Sequence, residues 1–141
     1  MKGEICVKAN GVFSINKWDE QTLEQLTDTT KTTKASVESS ISGEIEGSAS
    51  VEYLMFYKYA DPGDPHKSSA VYIGLTRISA SMNGKQGSFI FEDRGTFENG
   101  NASSSLQIIP GSGTGGFKNI SGTGKYSADS NGAVIEFEYN V

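Results

Sequence analysis

Asn-Gly is the dipeptide that most restricts how this chain can fold. Both central residues of a type I′ turn need positive φ, so Asn-Gly between alternating segments marks a two-residue β-hairpin. It stands at Asn83-Gly84, Asn99-Gly100 and Asn131-Gly132, each flanked by apolar/polar alternation. A fourth copy, Asn10-Gly11, lies inside an alternating run, where its glycine marks a bulge or bend. Glu46-Gly47 is read as a further, weaker reversal.

Folding the flanks back in antiparallel register tests these turns against one another. About Asn83-Gly84, Ile78 opposes Phe89 and Thr76 opposes Phe91; about Asn99-Gly100, Asp93 opposes Leu106 and Phe91 opposes Ile108. Two independently placed turns thus put Phe89, Phe91 and Phe97 on one inner face with Ile78, Leu106 and Ile108. About Asn131-Gly132, Tyr126, Ala128, Ile135, Phe137 and Tyr139 fall together, with Lys125 opposite Glu138 on the polar side. About Glu46-Gly47, Val37, Ile41 and Ile45 join Leu54 and Phe56 inside, which also turns Glu52 inward. Near the start, Ile5, Val7, Ala9, Phe13 and Ile15 alternate with polar neighbours. Residues 19–34 read as a polar, Thr-rich connection with room for one helical turn around Gln21–Leu26.

The result is eight strands, near 5–17, 34–45, 48–58, 70–82, 85–97, 102–109, 122–129 and 133–141, in one domain over 1–141. Neighbours in sequence pair in space. The expected fold is all-β, a closed eight-stranded antiparallel up-and-down meander barrel, because closure removes exposed edges. A two-sheet sandwich is the alternative. The composition agrees: 17 glycines against 3 prolines, with no collagen-like period, supply many turns and short elements.

Several function classes are disfavoured. A net charge of −5 without a basic patch argues against nucleic acid. Cys6, the only cysteine, allows no internal disulfide or four-Cys site, and its side chain is placed outward near Lys8. No basic-then-apolar leader and no run of 18 apolar residues is present, so neither a signal nor a membrane span is expected and the expected location is cytoplasmic. His66, in DPGDPHKSS (61–69), has no G-x-S-x-G elbow to serve. Asp61, Asp64 and His66 are read as a turn, and no metal or cofactor is expected.

GSGTGG (111–116) fits G-x-G-x-x-G, the spacing of a dinucleotide-binding loop. Such a loop must open a helix whose N-terminus holds the pyrophosphate. Here Ser121-Gly122-Thr123-Gly124 stops any helix after about one turn. The stretch is therefore read as a corner whose Phe117 and Ile120 plug one end of the barrel.

The stretches VEYLMFY (51–57), YIGLTRI (72–78), GKQGSFIFEDRGTF (84–97) and PGSGTGGFKNISGTG (110–124) resemble an uncharacterised bacterial family, the domain of unknown function 3224. NKWDE (16–20) and KASVESSISGEIEG (34–47) extend the resemblance over most of the chain. It implies a barrel similar to that of allene oxide cyclase and the plant dirigent proteins, which carry a Gly-Thr-Gly-x-Phe corner like Gly113 to Phe117. It brings no catalytic residues. Where the family often has Gln-His and Glu-Arg, this chain has Glu92-Asp93 and Thr76-Arg77.

The inward polar residues are the candidate site. Glu52, Tyr72, Thr76 and Asp93, with Phe91 and Phe137, are the candidate ligand-binding residues of a lumen. A carboxyl there is costly unless hydrogen-bonded or wetted, so its pKa should rise. Trp18 is read as packing, with a lid over the mouth as the alternative. Val51, Tyr53, Met55 and Tyr57, with Val71, Ile73 and Leu75, form an apolar outer strip expected to join two copies as a homodimer, with cover by Leu23 and Leu26 of the 19–34 connection as the alternative. Three functions follow, in order: binding of a small apolar molecule, a cyclase or isomerase confining a reactive substrate, and an assembly role with a filled barrel.

Overall fold

The computed structural model describes residues 6–141, which leaves Ile5 outside the described residues. Eight strands follow in chain order: β1 (Val7–Gln25), β2 (Lys31–Gly43), β3 (Ile45–Tyr59), β4 (Ser69–Met82), β5 (Lys85–Glu98), β6 (Asn101–Ile108), β7 (Ser121–Asp129) and β8 (Gly132–Asn140). Each pairs antiparallel with its sequence neighbours, and β8 returns to β1, so the sheet closes into a ring. Asn83 and Asn99 hold φ of 49° and 53°, and Gly84 and Gly100 hold 81° and 79°, the left-handed pairs a type I′ turn requires.

The other reversals differ from expectation, and the parity of the slip decides the consequence. The β7–β8 turn is centred on Ser130-Asn131, so Lys125 faces Glu136 rather than Glu138. That slip of two keeps every side chain on its expected face, and Ile135, Phe137 and Tyr139 are buried. The β2–β3 turn falls at Gly43-Glu44, with Gly43 at φ 114°, and Ile41 pairs with Gly47. This odd slip inverts β3. Val51 and Met55 are buried and Tyr53 and Tyr57 half-buried inside, while Glu52, Leu54 and Phe56 face out. Gly47 is a mid-strand residue whose missing side chain lets Ala80 approach.

The Thr-rich connection is strand. β1 runs to Gln25 and pairs with β2 as far as Gln25–Lys31, with bulges between Ile15 and Lys17 and between Thr22 and Glu24. β8 covers only its Val7–Phe13 part, so Ser14–Gln25 rises above the ring with both faces largely wet. The turn above it is closed by the Thr27 hydroxyl, which accepts from the backbone N–H of Thr29 and Thr30 at 3.2 and 3.1 Å. Gly11 is not a bulge; a side chain there would meet Ile41 Cγ2 at 2.7 Å.

One end of the ring is packed solid. Phe89 meets Phe117 and Phe137 edge-on at 5.4 and 5.6 Å between centroids, and Phe91 meets Phe137 at 5.2 Å. The Gly-rich corner crosses this end as expected. Its only helical piece is a three-residue 3₁₀ turn, Gly115–Phe117, too short for a phosphate-binding helix. Thr114 N–H donates to the Ser88 carbonyl and Ser112 Oγ accepts from Ile90 N–H, stitching the corner to β5 where β6 has ended. Phe117 and Ile120 are buried beneath it.

Candidate functional site

The opposite end, framed by the β1–β2, β3–β4, β5–β6 and β7–β8 turns, is hollow. A cavity of about 280 Å³ opens there, walled by Tyr53, Met55 and Tyr57 of β3, Tyr72 of β4, Phe97 of β5 and Tyr126 of β7. Trp18 and Glu20, from the raised part of β1, and Pro65 and Ser68, from the β3–β4 connection, complete the rim. Below it, a void of about 30 Å³ lies among Thr76, Phe91, Asp93 and Ala49, bordered by the same Trp18, Tyr53 and Tyr126.

Two glycines make the polar geometry possible. Tyr53, Gly74 and Asp93 stand side by side on β3, β4 and β5. A side chain on Gly74 would meet Tyr53 Cδ1 at 2.8 Å, so the ring lies across Gly74 and its hydroxyl donates to Asp93 Oδ2 at 2.8 Å. One strand on, Tyr72, Gly95 and Ser104 repeat the device, and the Tyr72 and Ser104 hydroxyls meet at 2.6 Å. At the rim, Glu20 Oε2 accepts from Thr33 Oγ1 and Tyr57 OH, both at 2.7 Å, and Oε1 accepts from Trp18 Nε1 at 3.0 Å.

Asp93 is only 4% exposed, and its Oδ1 and the Thr76 hydroxyl have no hydrogen-bond partner. Burial pushes its carboxyl above the ordinary range; the Tyr53 hydrogen bond, and after it the nearby Ser104 and Thr76 hydroxyls, oppose that only in part. Burial and then the Asp93 charge hold the Tyr53 phenol far above its usual value. Burial, followed by the Glu20 hydrogen bond, does the same for Tyr57, and burial pushes Tyr72 up to about 12. At neutral pH all three phenols are therefore protonated; Tyr53 and Tyr57 donate to carboxyls, and in the Tyr72–Ser104 pair either hydroxyl can be the donor.

The sequence-derived candidates divide. Tyr72 walls the cavity, and Asp93 and Thr76 lie one layer beneath it with Phe91. Phe137 is wholly in the packed end. Glu52 leaves the site: its side chain is 58% exposed on the outer face, 3.4 Å from Lys34, which holds its carboxyl below the ordinary range after the Ser36 hydrogen bond. Val51, Tyr53, Met55 and Tyr57 leave the outer strip, where Leu54 and Phe56 replace them beside Val71, Ile73 and Leu75. Asp61 is engaged in its own turn, accepting from Gly63 and Asp64 N–H at 2.9 Å each.

Residues 9–139 match the family model described as Protein of unknown function (DUF3224). The chain belongs to that family. A crystal structure at 1.84 Å of a DUF3224-family protein with unknown function from Shewanella oneidensis MR-1 is similar to it, with a TM-score of 0.75. The two share 22% sequence identity over 96% of this chain and 97% of the other. That likeness is one of fold. No curated protein matches the chain. Among the described residues no helix is long and apolar enough to cross a membrane.

Sequence reasoning missed Glu20, Tyr53 and Tyr57, and read Trp18 as packing although it borders the cavity. For β3 a signal was available. Glu46, Ser48, Ser50 and Glu52 all occupy one parity, and two acids with two serines mark that face as the wet one. For Glu20 there was none, because the part of β1 that carries it, Ser14–Gln25, has no buried face to impose alternation.

Proposed function

We propose that this chain binds a small, largely apolar molecule in the cavity at the open end of the ring. The observation that carries this reading is the contrast between the two ends. One is plugged by Phe117 and Ile120, and the other is a 280 Å³ space walled by aromatic rings and bordered by hydrogen-bonded tyrosines. Apolar walls with a few oriented polar groups are the usual anatomy of a ligand site, and the volume suits a molecule at the small end of that range. The cyclase or isomerase reading needs an acid or base against the substrate. Glu20 reaches the cavity but is engaged by three neutral donors, and Asp93 lies one layer beneath behind the Tyr53 ring, so both fit better as anchors for the wall. A wholly filled assembly barrel fits only the packed end.

Trp18, the single tryptophan of the chain, borders the cavity and reports on it. Titration with N-phenyl-1-naphthylamine should quench Trp18 emission by energy transfer and saturate at one probe per chain. Ala102→Trp, which fills the cavity from β6, should abolish this in a folded protein. Absence of saturable binding, or binding unchanged by Ala102→Trp, overturns the reading.

We also propose that the outer strip formed by Leu54, Phe56, Val71, Ile73 and Leu75 packs against a second copy of the chain. What supports it is that Leu54 pairs with Ile73 and Phe56 with Val71, making a continuous apolar surface across two strands. Sedimentation should give a dimer that Ile73→Lys converts to monomer. A wild-type monomer at high micromolar concentration overturns it.

A further inference from the structure

The chemistry of the cavity wall narrows the class of ligand, given that the cavity binds one at all. Six aromatic side chains surround the space: Trp18, Tyr53, Tyr57, Tyr72, Phe97 and Tyr126. No residue lining it is Lys, Arg or His. The acid at the rim, Glu20, is held by neutral donors alone, and among the described residues it forms no ion pair; the four ion pairs found there engage Glu138, Glu52, Glu98 and Glu92. One layer deeper, buried Asp93 likewise meets neutral groups alone: it accepts from the Tyr53 hydroxyl, and the Ser104 and Thr76 hydroxyls lie nearby. The wall thus offers the negative faces of several rings and one carboxyl, Glu20, with Asp93 a layer beneath; the nearest cation, the Lys31 ammonium, lies over Tyr57 and is not part of the lining. A neutral apolar molecule would fill the volume and leave the Glu20 carboxyl without an ion-pair partner. An anion would be repelled. An organic cation satisfies both features, because ring faces attract a weakly hydrated cation most strongly where water is excluded.

We propose that the cavity is an aromatic cage for a small organic cation, an alkylated amine or quaternary ammonium group seated among Trp18, Tyr57 and Glu20. One wall residue already accepts such a partner: the Lys31 ammonium lies 5.1 Å from the centre of the Tyr57 ring. The three hydrogen bonds to Glu20 keep its carboxylate at the mouth, beside Trp18 and Tyr57, ahead of any ligand. This preorganisation spares the ligand the ordering of its own counter-charge.

The test compares two probes of the same shape, benzyltrimethylammonium and its uncharged carbon isostere neopentylbenzene, with wild type and Glu20→Gln. Trp18 emission and calorimetry are the readouts. The cation should saturate the site and bind at least about tenfold tighter than the isostere, as one desolvated cation–ring contact implies. Glu20→Gln, an isosteric change at a half-buried rim position, should keep the fold and reduce that preference severalfold. Equal affinities, or a tighter isostere, overturn the cation assignment while leaving the cavity reading intact. A preference unchanged in Glu20→Gln overturns the role given to the rim acid. If neither probe binds, the assignment fails, and the N-phenyl-1-naphthylamine titration decides separately whether the cavity reading fails with it.

Discussion

Removing one oxygen, by Tyr53→Phe, tests the physical account of the site. Tyr53 OH is the hydrogen-bond donor to Asp93, whose other oxygen has no partner in a residue 4% exposed. The substitution removes the one close donor and leaves the carboxyl with only the nearby Ser104 and Thr76 hydroxyls, a loss of about 1.5–3 kcal/mol when the group is charged. Taking about 2 kcal/mol, and about 3 °C per kcal/mol for a domain of this size, the melting temperature should fall by about 6 °C at pH 7. The pH dependence carries the sharper prediction. Asp93 has a raised carboxyl pKa, so the folded state holds its proton more tightly than the unfolded chain does. Its contribution to stability is therefore full below the ordinary Asp value of 3.8 and is lost as pH rises through the raised folded value. Tyr53→Phe removes a partner that stabilises the charged form, so its cost should be largest at neutral pH and shrink toward about 1 kcal/mol near pH 4. Asp93→Asn should melt no lower than wild type at pH 7, and in that background Tyr53→Phe should again cost about 1 kcal/mol or less. Thermal and urea unfolding at the two pH values, over the four-protein cycle, measure all of this. Equal costs for Tyr53→Phe at both pH values and in both backgrounds would refute the link between ring and carboxyl.

Phe117→Ala should cost about 3–5 kcal/mol in urea unfolding, because it empties the plug against Phe89 and the packed end. Gly95→Ala should lower the melting temperature and weaken cavity binding together, since its methyl would collide with the Ser103 carbonyl and lie 2.5 Å from Tyr72 OH; circular dichroism melting and the naphthylamine titration check both. Glu52→Gln should leave probe affinity and melting temperature unchanged, as its carboxyl faces solvent beside Lys34. Raised phenol values for Tyr53, Tyr57 and Tyr72 mean that the folded state keeps these protons while the unfolded chain loses them from about pH 10, so stability should fall above that pH. Phenolate absorbance from the three should then appear only with unfolding.

How far the sequence could be read depended on whether each segment had one dry face. β4 and β5 were legible because Phe89, Phe91 and Ile78 contrast with Ser88, Arg77 and Glu92, and because Asn83-Gly84 admits a single reversal. β3 was not, since Leu54 and Phe56 on one face compete with Val51, Tyr53, Met55 and Tyr57 on the other. Hydrophobicity alone gives no parity there, and the true turn carries Gly43 with Glu44 rather than an Asn-Gly pair. That ambiguity sent Glu52 inside and Tyr53 outside, costing the site its main wall. Asp93 kept its inward face because two Asn-Gly turns bracket β5, and Tyr72 and Thr76 kept theirs because the first of those turns fixes β4 against it. Glu20 was out of reach, since only tertiary placement of a wet strand brings it over the cavity, and Trp18 was legible there only as the alternative to packing.

The segregation of solid and hollow ends has a consequence for how such chains diverge. The phenylalanines of the closed end form one core, and Val37, Val51, Met55, Ala70 and Tyr72 form a second, smaller one around the mouth. A substitution at the mouth therefore reshapes the hollow and draws on that second core at the same time. Two relatives that share this fold with 22% identity can differ there, so each needs its own assay.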